Sequence, residues 1–310
     1  MRNKTNVMNF LKIILCTCLC VTTSITIARD LDEVKELGIL RHLGTPYGNF
    51  VKNIDPDKQS DWTGLDVELI QGFAASLGVK YQFVEVPPKK IIGALTGINV
   101  EFIEHKIVYG QPSNIQGDLI ASGITTLEWR KDIFDFSDPY FYSAVWLFAR
   151  ADSAMQPITP SGSTKKDIIN VKAQLKGHSV LTVEQTCLDG GLYDLQATNA
   201  HVIASDKYHN LIPAILDNNA ESTLMDVADG LAILDKWAGE IKVIGPISEV
   251  QSMGVVFSKK SPKLRAAFNK YLRRIRDNGI YAQLVKKYYP NVFYFYPEYF
   301  SNFSPKITSN

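Results

Sequence analysis

Between Gly123 and Arg130 the chain carries three groups that suit one kind of ligand. The guanidinium of Arg130 is a planar pair of donors that matches a carboxylate. Thr125 can add a hydroxyl donor, and the Gly123 carbonyl can accept from an ammonium. A free amino acid carries both a carboxylate and an ammonium. The ordinary fates of these residue types are a solvated surface arginine and a threonine that caps a helix, and the spacing alone leaves both open. Other spacings hint at chemistry without sustaining it. Asp55, Asp57 and Asp61 echo a calcium loop, but Ser60 stands where that loop needs glycine and Asp66 where it needs glutamate, which reads as a solvated acidic turn. Ser163 and Lys166 fall in a loop without the companion motifs of a serine acyl enzyme. His42, His105, His178, His201 and His209 have no metal-ligand spacing. Lys286-Lys287 and Arg273-Arg274 read as solvated helix faces. No phosphate loop, nucleophile elbow or dinucleotide fingerprint occurs, and no cofactor is expected.

The elements that must hold such groups alternate between strand and helix. Residues 39–43 form a short apolar run that opens into Gly44-Thr45-Pro46-Tyr47-Gly48. After Gly64, the residues Leu65, Leu69, Ile70, Phe73, Ala74 and Leu77 share one face at helical spacing, and Gly78 stops the helix. Residues 80–86 predict a strand closed by Pro87-Pro88, and 91–95 a short helix. Residues 96–117 have weak periodicity and four breakers, Gly97, Gly110, Pro112 and Gly117. They predict a long connection before a strand at 118–122. Residues 140–150 predict one long strand, and 156–166 an exposed loop. A second alternation follows: strands at 179–183, 201–204, 224–225, 241–244 and 255–257, with helices at 189–197, 208–216 and 230–237. Ser261-Pro262 starts a helix with a buried stripe of Leu264, Ala267, Phe268, Tyr271, Leu272 and Ile275. Asn278-Gly279 breaks it before another helix at 280–288, and an aromatic tail ends the chain. This order implies parallel βαβ units in two halves, with ligands expected at strand carboxyl ends in a cleft between them.

The bulk numbers agree. With 310 residues, 45% hydrophobic and 21% charged, the chain has room for about two domains of roughly 150 residues. A formal net charge of +1 offers no field for nucleic acid. Arg2, Lys4 and Lys12 precede and flank an apolar run that ends near Thr26 and Ala28, the small-residue pattern of a cleaved export signal. The uncharged run 13–27 is short of the ~20 residues a membrane span needs. Cys16, Cys18 and Cys20 raise a lipoprotein alternative, but none follows a small residue. Cleavage after Ala28 leaves 30 basic and 32 acidic residues, and leaves Cys187 as the one thiol. No internal disulfide is then expected, so stability must come from burial.

The stretch Ala121-Ser122-Gly123-Ile124-Thr125-Thr126-Leu127-Glu128-Trp129-Arg130, followed by Phe136-Ser137-Asp138-Pro139-Tyr140, resembles the signature of the family 3 solute-binding proteins, the polar amino-acid-binding components of ABC importers. Gly64-Leu65-Asp66-Val67-Glu68-Leu69 resembles their first helix start. Ser261-Pro262-Lys263-Leu264 and Asp277-Asn278-Gly279-Ile280-Tyr281 resemble their closing helices. Each match alone is weak, and their shared order across 31–289 is the specific signal. The resemblance implies an α/β type II periplasmic binding protein fold, two lobes joined by a two-strand hinge. It places an export signal at 1–28, lobe 1 at 29–144, lobe 2 at 145–258, and helices returning to lobe 1, with a tail, at 259–310. It further implies periplasmic binding of a small amino-acid-like solute by a monomer that docks on an inner-membrane ABC permease.

Site residues follow from the same resemblance. Arg130, Thr125 and Gly123 fall at the ligand positions of lobe 1. In lobe 2, residues 177–186 resemble the stretch in which Thr186 and a helix N-terminus meet the carboxylate. Gln185 stands where glycine is usual, and Cys187 replaces a second threonine; its thiol is either reactive beside that N-terminus or buried and inert. Leu224-Met225-Asp226 resembles the strand whose acid pairs with the ammonium, with Asp229 as competitor or helix cap. Tyr47 corresponds to an aromatic that stacks on the ligand, on a loop shortened by about two residues. The long connection 96–117 has no counterpart and is expected to reshape the cleft rim. Two other functions share the scaffold. A periplasmic cyclohexadienyl dehydratase would need a carboxylic acid in the second lobe as general acid. Membrane-bound lytic transglycosylases carry such a domain beside a catalytic one. A free-standing ligand sensor is the third class.

Overall fold

The structure, a computed structural model, describes residues 28–55, 61–205, 210–234, 236–295 and 297–300, apart from the side chains of 295 and 298. The expected export signal lies almost wholly outside these residues. Sixteen strands, β1 to β16 in chain order, occur among them. The first lobe is built on a five-stranded sheet of order β4 (Lys80–Glu85), β1 (Ile39–Gly44), β7 (Leu119–Ile120), β16 (Val256–Phe257) and β8 (Asp135–Phe136). β1 runs parallel to β4 and β7, as the strand–helix–strand pattern predicts, and β16 runs antiparallel to β7 and β8. The helix Leu65–Leu77 packs its apolar stripe against this sheet and against the helix Pro262–Asp277, with Phe73 edge-on to Phe268 at 5.2 Å.

The second lobe is a sheet of order β12 (His201–Ala204), β11 (Ser179–Thr182), β13 (Ser222–Asp226), β10 (Val145–Arg150) and β14 (Ile241–Pro246). Here too the neighbours β11, β12 and β13 are parallel, and β10 is antiparallel to both of its partners. The expected single strand over 140–150 breaks at Ala144. β9 (Phe141–Ser143) leaves to pair with β15 (Gln251–Met253), and this antiparallel pair is the two-strand link between the lobes. The chain re-enters the first sheet at Val256, so Val256 and Phe257, expected in lobe 2, belong to lobe 1.

Three local expectations are corrected. The helix expected over 189–197 is two short 3-10 turns, Gly190–Tyr193 and Leu195–Thr198, broken by Asp194 in the left-handed region at φ 51°. The helix expected at 230–237 begins earlier and spans Val227–Leu234. The connection 96–117 is a β-hairpin, β5 (Ile98–Ile103) and β6 (Lys106–Pro112), and its turn is Glu104-His105. A smaller hairpin pairs β2 (Lys52–Asn53) with β3 (Trp62–Thr63). No helix among the described residues is long and apolar enough to cross a membrane.

Candidate functional site

The carboxyl ends of β1, β4, β7 and β11 open onto one cavity of about 490 Å³ between the lobes. Thr45, Pro46 and Tyr47 follow β1, Val86 and Pro87 follow β4, and the segment from Ser122 to Thr125 follows β7. Gln185, Thr186 and Cys187 face them from the second lobe. Of the residues predicted from sequence, Tyr47, Gly123, Thr125, Arg130 and Thr186 all line this cavity.

Gly123 takes φ +60°, and a Cβ there would meet the Tyr47 ring at 2.8 Å and the Phe50 ring at 3.0 Å, so only glycine fits the turn. Its amide donates to Asp66 Oδ2 at 2.7 Å, and Tyr140 donates to the same oxygen at 2.8 Å. Asp66 is fully buried, and that burial, against the pull of these two donors, raises its carboxyl to about 7. Asp66 is thus the residue that fixes the Gly123 turn, a role its place at a helix start did not announce. Thr125 is 1% exposed, and its hydroxyl makes no hydrogen bond of ordinary geometry among the described residues, although it lies close enough to Cys187 to favour the thiolate.

Arg130 sits on the one-turn helix Glu128–Lys131 with only 7% exposure. Its guanidinium donates to the Thr125 carbonyl at 2.9 Å in its own lobe and to the Gln185 carbonyl at 2.9 Å in the other. The Trp129 ring lies 5.2 Å below it. Burial pulls its pKa down to about 10, against Cys187 and Tyr193, which leaves it cationic at neutral pH. No carboxylate pairs with it among the described residues. A buried cation held by carbonyls alone is a strong call for an anion.

Asp226 is 1% exposed at the end of β13 and is not part of the cavity wall. It sits one layer back, joined to the wall through Tyr47, whose hydroxyl donates to Asp226 Oδ2, and through Cys187, whose thiol donates at 3.4 Å. Burial pushes its carboxyl well above the usual carboxylate range, and nearby Asp229 pushes it further. Asp229 is not a helix cap. It lies in the first turn of the helix Val227–Leu234 and accepts from the Tyr289 hydroxyl at 2.8 Å, tying the C-terminal segment to the second lobe.

Thr186 spends its hydroxyl on its own turn: it donates to Val183 O at 2.7 Å and accepts from Leu188 N at 3.0 Å. The helix N-terminus expected beside it is absent, since a 3-10 turn follows, and the Gln185 amide donates to Asp189 at 3.1 Å. Gln185 itself takes a left-handed backbone, φ 66°, the region that favours glycine. Its side chain crosses the cleft to the hairpin: Phe102 N donates to Oε1 at 3.1 Å, and Nε2 donates to Phe102 O at 3.4 Å. Burial pushes the Cys187 thiol up, the behaviour of an inert buried cysteine. No group of side chains among the described residues is arranged to hold a metal ion.

Residues 97–291 match the model of the bacterial extracellular solute-binding proteins, family 3. The L-cystine-binding protein TcyA of Bacillus subtilis is 26% identical over 264 residues, covering 83% of each chain. A membrane-bound lytic murein transglycosylase F of Desulfosudis oleivorans is 25% identical over 182 residues, 57% of this chain and 37% of that protein. The chain spans less than half the length of this protein and of a transglycosylase F of Pseudomonas putida that it also matches. In fold, the P235GK mutant of an arginine-binding protein from T. maritima superposes with a TM-score of 0.66 at 23% identity, over 84% of this chain and 99% of that one.

Proposed function

The chain belongs to the bacterial extracellular solute-binding proteins of family 3, and from that premise we propose that it closes its two lobes around a small amino-acid-like solute and hands it to an ABC importer. The observation that carries this reading is Arg130, a buried cation in lobe 1 that reaches a lobe 2 carbonyl and pairs with no anionic side chain among the described residues. A ligand carboxylate would take over its donors, and the Thr125 hydroxyl would complete the contact. The Gly123 carbonyl and Asp226 would receive the ammonium. For that, Tyr47 must turn from Asp226 onto the ligand, and Asp226 must meet the ammonium as a carboxylate, against the burial that raises its pKa. Thr186 would contribute through its backbone, because its hydroxyl is already engaged. Each lobe holds half of the site, so the ligand stabilises only the closed state, and the β9–β15 pair is the natural hinge. The reading includes export by residues 1–28 to the periplasm and a monomer that docks on its permease. The L-cystine-binding relative fits an amino-acid ligand.

The test is calorimetry with a panel of amino acids on the wild type and on Arg130→Ala. The wild type is expected to bind one class, and Arg130→Ala to lose at least 100-fold in affinity, since a charged hydrogen-bonded pair is worth several kcal/mol when one partner is removed. Unchanged affinity would remove the proposed role of Arg130. One observation favours a second reading. Asp226 is a buried acid one layer behind the cavity wall, and burial raises its carboxyl well above the usual carboxylate range, the direction that a general acid for a cyclohexadienyl dehydratase would require. Turnover of prephenate or arogenate by the wild type, lost in Asp226→Asn, would establish it over simple binding.

A further inference from the structure

We infer that the cavity selects a solute with a large apolar side chain, and that the β5–β6 hairpin is the wall that does the selecting. The inference rests on the solute-binding reading above and adds the class of solute. Arg130, Thr125 and Gly123 provide for the two charges common to all amino acids. The remaining wall faces whatever the side chain carries. Val86, Ile91, Ile120 and Phe134 supply it from lobe 1, and Val183 from lobe 2. Each of these is less than a tenth exposed. Val100, at 4% exposure, closes the wall from the hairpin.

Apart from Arg130, the charged residues that border the cavity are Glu85, Lys89 and Glu101, and all three are exposed at its mouth. Lys89 is further matched by Glu184 across the cleft at 3.9 Å. A charged side chain laid along this wall would lose water and find no partner, whereas an apolar one gains by the same burial. The wall therefore discriminates by what it withholds as much as by what it contacts.

The hairpin is held in place rather than hanging loose. Phe102 stacks on Trp129 with ring centroids 4.8 Å apart and planes 7° apart, and Trp129 underlies the Arg130 guanidinium. From the other lobe, the Gln185 side chain makes two bonds to the Phe102 backbone. The residue that lines the cavity, Val100, and the residue that clasps both lobes, Phe102, are two apart on one strand and share its face. The apolar wall is therefore complete only when the lobes have met.

Calorimetry on the purified protein with L-phenylalanine, L-leucine, L-arginine and L-glutamate tests both halves of the inference. L-phenylalanine or L-leucine is expected to bind at least tenfold more tightly than L-arginine and L-glutamate. Val100→Ala, which removes two carbons from the wall, is expected to weaken the better apolar ligand at least tenfold, the scale of one methylene or more in an apolar pocket. Val100→Thr, which keeps the shape and adds a hydroxyl, should weaken it too, and covers the case in which Val100→Ala does not fold. Tighter binding of L-arginine or L-glutamate overturns the apolar selection while leaving the solute-binding reading in place. An apolar ligand that binds both folded Val100 variants as well as the wild type overturns the role of the hairpin. If none of the four binds the folded wild type, the amino-acid reading fails together with the inference.

Discussion

Two fully buried titratable side chains beside the cleft, Asp66 and His42, respond to pH in opposite senses. Burial raises Asp66 to about 7, so between its unfolded value of 3.8 and about 7 the folded protein holds the extra proton. The stability it contributes is present at low pH and fades as pH rises through 7. Burial lowers His42 to about 4 from 6.5. Its neutral ring suits its partners, with one nitrogen on Ala121 O at 2.6 Å and the other on Tyr81 Oη at 2.9 Å. Its contribution is lost as pH falls from 6.5 toward 4. The two slopes partly cancel in the wild type. Asp66→Asn is expected to unmask the His42 slope, so that stability measured by urea unfolding rises more steeply from pH 4 to 6.5 than in the wild type. Parallel curves for the two proteins would mean that Asp66 is ionised throughout. The sequence showed Asp66 at a helix start and at the end of a calcium-loop-like spacing but not its role at the site, because its tie to Gly123 spans 57 residues. Gly123, Thr125 and Arg130 were legible because one short segment places all three. The layer that Tyr47 and Cys187 put between Asp226 and the cavity was not, because it is made by contacts between residues far apart in the chain, Tyr47 reaching Asp226 from the other lobe and Cys187 from 39 residues away.

At the scale of elements, the hairpin 98–112 is the part the sequence concealed. Short hairpins announce themselves by Asn-Gly or Asp-Gly, which take positive φ at little cost. Here Glu104 and His105 take φ 48° and 60°, so the turn has the mirror-image form without its usual residues. Tertiary support supplies what the turn lacks: Phe102 is stacked on Trp129 and clasped by Gln185. The helix expected at 189–197 failed for a related reason. Gly190 and Gly191 weaken it, and Asp194 is left-handed between its two halves. Gln185 joins the two elements. A non-glycine residue at φ 66° carries a strain of about 1 kcal/mol that Gly would relieve. Gln185→Gly should therefore keep or slightly raise the stability of the fold while removing the clasp between lobes. The readout is Cys187, which is 4% exposed on the cavity wall and reachable when the cleft opens. Its alkylation by iodoacetamide, followed on the Cys187 peptide by mass spectrometry, is expected to run several-fold faster in Gln185→Gly. An unchanged rate with unchanged stability would mean that the side chain clasps nothing of consequence.

At the scale of the whole molecule, the hinge strand β9 is packed by the C-terminal segment rather than left bare. Tyr299 stacks on Tyr142 at 4.4 Å, and Phe300, fully buried, sits 5.1 Å from Phe141. Tyr289 donates to Asp229 in lobe 2 and receives the Asn49 amide of lobe 1 at 2.9 Å. The two halves were legible from the order of periodic segments, and the return of the chain to lobe 1 only from the family resemblance. The use of the aromatic tail was not, since apolar residues without period show that a segment is buried but not against what. If this packing braces the hinge, its removal should do two things at once. Phe300→Ala is expected to cost about 3–5 kcal/mol, the usual effect of emptying a buried aromatic site, seen as a lower midpoint in urea. It is also expected to loosen the hinge, so that the radius of gyration by small-angle X-ray scattering rises and Cys187 becomes easier to alkylate under conditions where the protein is still folded. A drop in stability with no change in either quantity would place Phe300 in an ordinary core. The combination would show that the turn Pro297–Phe300 sets how readily the cleft opens.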